Sequence, residues 1–144
     1  MPGIIVGVDG SGHSEAALRW AMDEAAIRDA PLTVIAVLEH GADFWTGNPN
    51  IFDQPQPGRD IARQSVEKAV GQAAARLGDS RPASVTVQVL SGTPAEILIN
   101  ASGDADMVVV GSRGSGGLAR LLMGSVSSQV AQHARSPVVI VRPE

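Results

Sequence analysis

Gly111-Ser112-Arg113-Gly114, nine further residues, and then Gly124-Ser125-Val126-Ser127 have the residue types and spacing of a phosphate cradle. Glycine at 111 and 114 permits positive φ angles and removes the Cβ atoms that would hold an anion away from the backbone. Gly124-Ser125-Val126-Ser127 presents free amides where a helix is expected to begin, and the helix dipole there favours negative charge. The hydroxyls of Ser125 and Ser127 offer two more donors, and Arg113 stands where a charge-assisted contact to a phosphate could form. Between the two halves, Leu118, Leu121, Leu122 and Met123 supply apolar anchors. Read alone, the stretch is equally a glycine-rich turn followed by a serine-capped helix, with Arg113 a solvated side chain.

Three better-known phosphate loops do not fit. A P-loop needs a lysine after its second glycine, and Lys68 is the only lysine of the chain and lies elsewhere. Gly114-x-Gly116-x-x-Ala119 has the spacing of a dinucleotide fingerprint, but it follows the fourth predicted strand rather than the first. No acidic residue ends a strand about 20 residues later, as that fingerprint requires. Gly10-Ser11-Gly12 lacks a third glycine.

Asp9 ends the first strand-like run and would either cap the following turn or face a ligand. His13, His40 and His133 have no metal-ligand spacing, although His13 falls on the first loop. No nucleophile, base and orienting group stand in a recognisable arrangement, and no carboxylate pair accompanies the glycine loop. Binding without efficient chemistry is the expectation. A Mg²⁺ ion accompanying a triphosphate would need only one or two protein oxygens, and Asp9 is the evident donor.

The elements that must position these residues follow from hydrophobic patterning. Ile4–Val8, Leu32–Leu38, Val85–Leu90, Met107–Val110 and Val138–Val141 read as strands. Helices are predicted over Ser14–Asp29, with Ala17, Ala21 and Ala25 on one stripe, and over Arg59–Leu77, with Ile61, Ala62, Val66, Ala69, Val70 and Ala73 facing inward. A third helix opens at Thr93-Pro94-Ala95-Glu96 as N-cap, first residue and capping-box acid, and runs to about Ser102. The last runs from about Ser125 to Ala134. The segment 41–58, rich in Gly and Pro, reads as a long mobile loop in which Phe44, Trp45, Ile51 and Phe52 could cover something. Apolar strands alternating with helices predict a parallel sheet covered on both faces, with ligands bound beyond the carboxyl ends of the strands where the strand order reverses. The loop Asp9 to Ser14 after the first strand and the loop from Gly111 onward after the fourth are the candidates, and both carry glycines and hydroxyls suited to a phosphate ester.

Composition bounds the partner. A chain of 144 residues fits one domain spanning 1–144, with 44% hydrophobic and 18% charged residues. A net charge of −4 with two Trp and two Phe argues against nucleic acid. The absence of cysteine excludes disulfides, zinc–thiolate sites and thiol catalysis. No apolar run is long enough for a membrane span, and Met1-Pro2-Gly3 leads straight into a strand, so a cytoplasmic protein is the expectation.

The spacing Gly111-x-x-Gly114, nine residues, Gly124-Ser125 resembles the ATP-binding signature of the universal stress protein family. The opening Ile4-Ile5-Val6-Gly7-Val8-Asp9-Gly10-Ser11, the stretch Ala105-Asp106-Met107-Val108-Val109-Val110-Gly111-Ser112 and the ending Ser136-Pro137-Val138-Val139-Ile140-Val141 resemble that family too. The resemblance implies a Rossmann-like α/β fold, an open five-stranded parallel sheet with helices on both faces. It also implies a homodimer paired through the last strand, and ATP as ligand. Carried over, Gly7, Val8 and Asp9 border the ribose or adenine and Val37 contacts the adenine. Gly111, Gly114, Gly124, Ser125 and Val126 hold the phosphates, with Arg113 and Ser127 beside them. The function so implied is a nucleotide-dependent stress-response regulator acting on unknown protein partners. A slow ATPase or nucleotidyl-transfer enzyme and a cyclic-AMP-binding variant are the alternatives.

Overall fold

In the computed structural model, residues 3–9, 12–38, 57–112 and 125–142 are described. The elements in chain order are β1 (Ile4–Val8), α1 (Gly12–Arg28), β2 (Leu32–Leu38), α2 (Pro57–Leu77), β3 (Val85–Ser91), α3 (Pro94–Ser102), β4 (Met107–Gly111), α4 (Ser125–His133) and β5 (Val138–Val141). A short 3₁₀ turn, Gly78–Ser80, follows α2. All five predicted strands form, and all pair in parallel, in the order β3-β2-β1-β4-β5.

A parallel sheet needs cover on both faces, and two cores supply it. On one face Ile4, Val6, Leu32, Val34, Val89 and Val109 meet α1 and α2. On the other, Ile35, Val108 and Val110 meet Leu98 of α3 and Val130 of α4. The small-residue stripe on α1 behaves as its spacing predicts: Ala17, Ala21 and Ala25 are fully buried, flanked by the buried Leu18 and Met22. Without bulky side chains on that line, the helix lies close on the sheet.

Helix ends account for most differences from the sequence reading. α1 begins at Gly12, two residues before the predicted start. It ends where Asp29 enters the left-handed region at φ 54° and Ala30 N–H donates to Ala25 O at 2.9 Å, a reversal that closes the helix. Pro57 and Gly58, assigned to the 41–58 loop, belong instead to the first turn of α2. Proline is tolerated at a helix start because its missing N–H has no intrahelical acceptor there; residues 41–56 of that loop lie outside the described residues. Thr93 has the extended geometry of an N-cap but makes no side-chain cap hydrogen bond, so the expected capping box at α3 is not formed through it.

One predicted core position is wrong. Ile61 is 67% exposed, whereas Val66 and Ala73 of the same helix are buried. The buried line runs through Ala62, Val66, Ala69 and Ala73, at spacings of four, three and four residues, and Ile61 lies about 100° away from it. Among the described residues, no helix is long and apolar enough to cross a membrane.

Candidate functional site: the crevice between β1 and β4

β1 has β2 on one side and β4 on the other, and this is where the strand order reverses. From β1 the chain passes to α1, packed on the first core, while from β4 it passes to α4, packed on the second. Two neighbouring strands whose connections leave to opposite faces part at their carboxyl ends, and a crevice opens there. The recorded β1–β4 pairing runs from Ile4–Met107 to Val6–Val109, short of Val8 and Gly111 at the two strand ends.

The predicted residues that are described converge on this end of the sheet. Val8 closes β1, and the exposed Asp9 is the next residue. Val37 lies one step beyond the Val8–Ala36 pair on β2, half-buried on the α3/α4 face. Gly111 ends β4 level with Val141 of β5. Ser125 opens α4, with Val126 and Ser127 behind it in the first turn. Arg113, Gly114 and Gly124 lie outside the described residues, as do Leu118, Leu121, Leu122 and Met123.

Gly7 has a packing role beside its predicted binding role. A Cβ at that position would sit 2.8 Å from Leu98 Cδ1, so the missing side chain lets α3 settle on the centre of the sheet.

The first turn of α4 contains no acidic residue, whereas α1, α2 and α3 carry Glu15, Asp60 and Glu96 in theirs. Helix starts usually gather carboxylates because the dipole rewards them; an anion bound at α4 would be repelled by one. Ser125 is exposed at this start, whereas Ser127 is 2% exposed. The Ser127 hydroxyl donates to the carbonyl of Ser112 at 3.2 Å, and Ser112 N–H donates to Val141 O at 2.9 Å. The hydroxyl that sequence reasoning placed on a phosphate thus makes a protein contact across the ends of the glycine loop.

At the other loop, Asp9 N–H donates to the hydroxyl of Ser14, which is 5% exposed. The sequence places Ser14 at the end of the first candidate loop and Ser112 inside the glycine motif, but predicts neither of these contacts. The available signal was a serine at the third residue of each helix that follows a binding loop.

A cavity of about 240 Å³ also opens beside Val8, between α1 and α2, with Glu15, Leu18, Val66 and Lys68 in its wall. It shares Val8 and Ser14 with the end of β1 but lies on the α1/α2 face, away from α4. Among the described residues, no group of three or more His, Asp or Glu is placed to hold a metal ion.

Comparison with known proteins agrees with this fold. A model of the universal stress protein family matches residues 2–142. A universal stress protein of Mycolicibacterium smegmatis is 40% identical over 139 residues, covering 96% of this chain and 47% of its own length. One from Mycobacterium tuberculosis is 39% identical over 142 residues, covering 99% and 48%. The chain therefore spans about half the length of the curated relatives it matches. Among solved structures, a universal stress protein in complex with cAMP superposes with a TM-score of 0.73 at 25% identity, covering 99% of this chain and 98% of that one. With a family match across nearly all of its residues and the strand order and helix placement described above, the chain belongs to the universal stress protein family.

Proposed function

We propose that this chain binds ATP in the crevice between β1 and β4 and works as a nucleotide-dependent stress-response regulator rather than an enzyme. The observation that carries the reading is the meeting of two strand ends, at Asp9 and Gly111, with a helix start at Ser125 that has no acidic residue in its first turn. Backbone amides of Ser125, Val126 and Ser127 would face the phosphates, joined by the glycines and Arg113 of the sequence motif. Val8 and Val37 would border the adenine, and Asp9 the ribose. Where Mg²⁺ accompanies the triphosphate, the exposed Asp9 carboxylate is the protein oxygen at hand.

The test is isothermal titration of ligand-stripped protein with ATP. Heat of binding at or below millimolar nucleotide supports the reading, and no uptake overturns it. The same titration with cyclic AMP weighs a second reading, favoured by the cAMP complex of a structural relative: a single phosphate would engage fewer of these amides. Turnover well above one per minute, lost on changing Asp9 or Ser125, would establish an enzyme instead.

Pairing through β5 belongs to the same proposal. The two edges of the sheet are treated differently. At β3, the Arg63 guanidinium donates to Val87 O at 3.2 Å and Arg59 donates to Ser91 Oγ at 2.9 Å, so side chains from α2 cover that edge. At β5 the four residues Val-Val-Ile-Val are each partly buried, and among the described residues no strand pairs with the outer side of β5. An open apolar edge calls for a partner strand, and a second copy of the chain supplies one.

A further inference from the structure

The two loops that flank the crevice are closed by the same device. In each, the first residue after the strand is held by the third residue of the following helix: Asp9, after β1, to Ser14 of α1, and Ser112, after β4, to Ser127 of α4. Both serines are buried, at 5% and 2% exposure. The polarity is reversed: Ser14 Oγ accepts from a backbone N–H, and Ser127 Oγ donates to a backbone carbonyl. A hydroxyl can do either, which is why one residue type serves at both places.

We propose that Ser14 and Ser127 are a matched pair of positioning residues that fix the entry and exit of the two binding loops before any ligand arrives. Each bond joins the residue after a strand to the first turn of the helix that follows, so Asp9 is held on α1 and Ser112 on α4 before a ligand binds. Groups already held in place have less freedom to lose on binding, and that preorganisation appears as affinity. The arrangement also separates neighbouring serines. Ser125 is exposed at the start of α4 and free to face an anion, whereas Ser127 is turned inward on Ser112.

The affinity part rests on the nucleotide reading above; the loop-ordering part does not. Ser14→Ala and Ser127→Ala are compared with Ser102→Ala, a fully buried serine bonded to Ile99 O and Arg135 N elsewhere in the fold. In ligand-free protein, hydrogen exchange at the Asp9 amide should speed up in Ser14→Ala, and exchange at the Ser112 amide should speed up in Ser127→Ala. Ser102→Ala should lower stability and leave both unchanged. ATP affinity should fall roughly three- to tenfold in each loop variant, the scale of one lost hydrogen bond, with Ser127→Thr restoring both exchange and affinity.

Unaltered loop exchange with weakened ATP binding would make Ser127 a direct phosphate ligand and overturn the proposal. A uniform rise in exchange matching that of Ser102→Ala would overturn it as well. If the parent protein takes up no nucleotide, the functional reading fails while the exchange comparison still decides the positioning role. If Ser127→Ala does not fold, the Asp9 amide in Ser14→Ala decides it.

Discussion

Leu98 of α3 rests against the bare backbone of Gly7, so that a Cβ on residue 7 would lie 2.8 Å from Leu98 Cδ1. Leu98 is itself 2% exposed and belongs to the core between α3, α4 and the sheet. Gly7→Ala is expected to cost about 1–2 kcal/mol, because the leucine must leave its preferred position in a packed layer. Chemical denaturation of the single variants and of Gly7→Ala combined with Leu98→Ala checks this. The glycine substitution should be much less costly once Leu98 is truncated, and equal costs in both backgrounds would rule out the contact as the cause.

Ser102 joins the end of α3 to the connection between α4 and β5. Its hydroxyl donates to Ile99 O at 2.6 Å and accepts from Arg135 N–H at 2.9 Å, with no exposure to solvent. Ser102→Ala removes the acceptor from Arg135 N–H, and a loss of about 1–3 kcal/mol is expected in urea unfolding. ATP affinity should not change, since the site lies at the opposite end of the strands.

Gly114→Val should abolish ATP binding while the protein remains folded. A branched Cβ at the second glycine of the motif would narrow the phosphate path and penalise a positive φ. Titration should show a loss of roughly a hundredfold or more, corresponding to about 3 kcal/mol, with the far-ultraviolet circular dichroism of the parent. Retained binding would remove Gly114 from the phosphate site.

Proline at 140 should separate a β5-paired dimer. Ser112 N–H bonds to Val141 O and Val108 N–H to Pro137 O, so by strand alternation the N–H of Ile140 points to the open edge rather than to β4. Ile140→Pro removes that outward donor while sparing the ladder to β4. Sedimentation should show a monomer for Ile140→Pro and a dimer for Ile140→Val, which keeps the donor. A dimer in both would place the interface elsewhere.

The element order was readable because the strands are short apolar runs: Met107–Val110, buried on both faces, and Val138–Val141, at the sheet edge, need no partner to be recognised. Ile61 stands one position from the apolar stripe, and an isolated isoleucine there matches the pattern nearly as well as a true member. Thr-Pro-x-Glu has the letters of a capping box, whereas the bond from Thr93 depends on a rotamer set by the surroundings. The bond from Ser127 to Ser112 was not legible in the sequence, because its two residues stand 15 positions apart in the chain.

By itself the sequence determined the alternation of strands and helices, the small-residue face of α1 and the glycine–serine spacing after β4, all of which are local in the chain. Only the tertiary structure decided that β1 lies between β2 and β4 and that α1 and α4 cover opposite faces, which sets the ends of β1 and β4 side by side where the strand order reverses. It also placed arginines of α2 on the β3 edge and left β5, among the described residues, as the unpaired edge of the sheet. These features arise from contacts between residues tens of positions apart, and no window along the chain contains both partners.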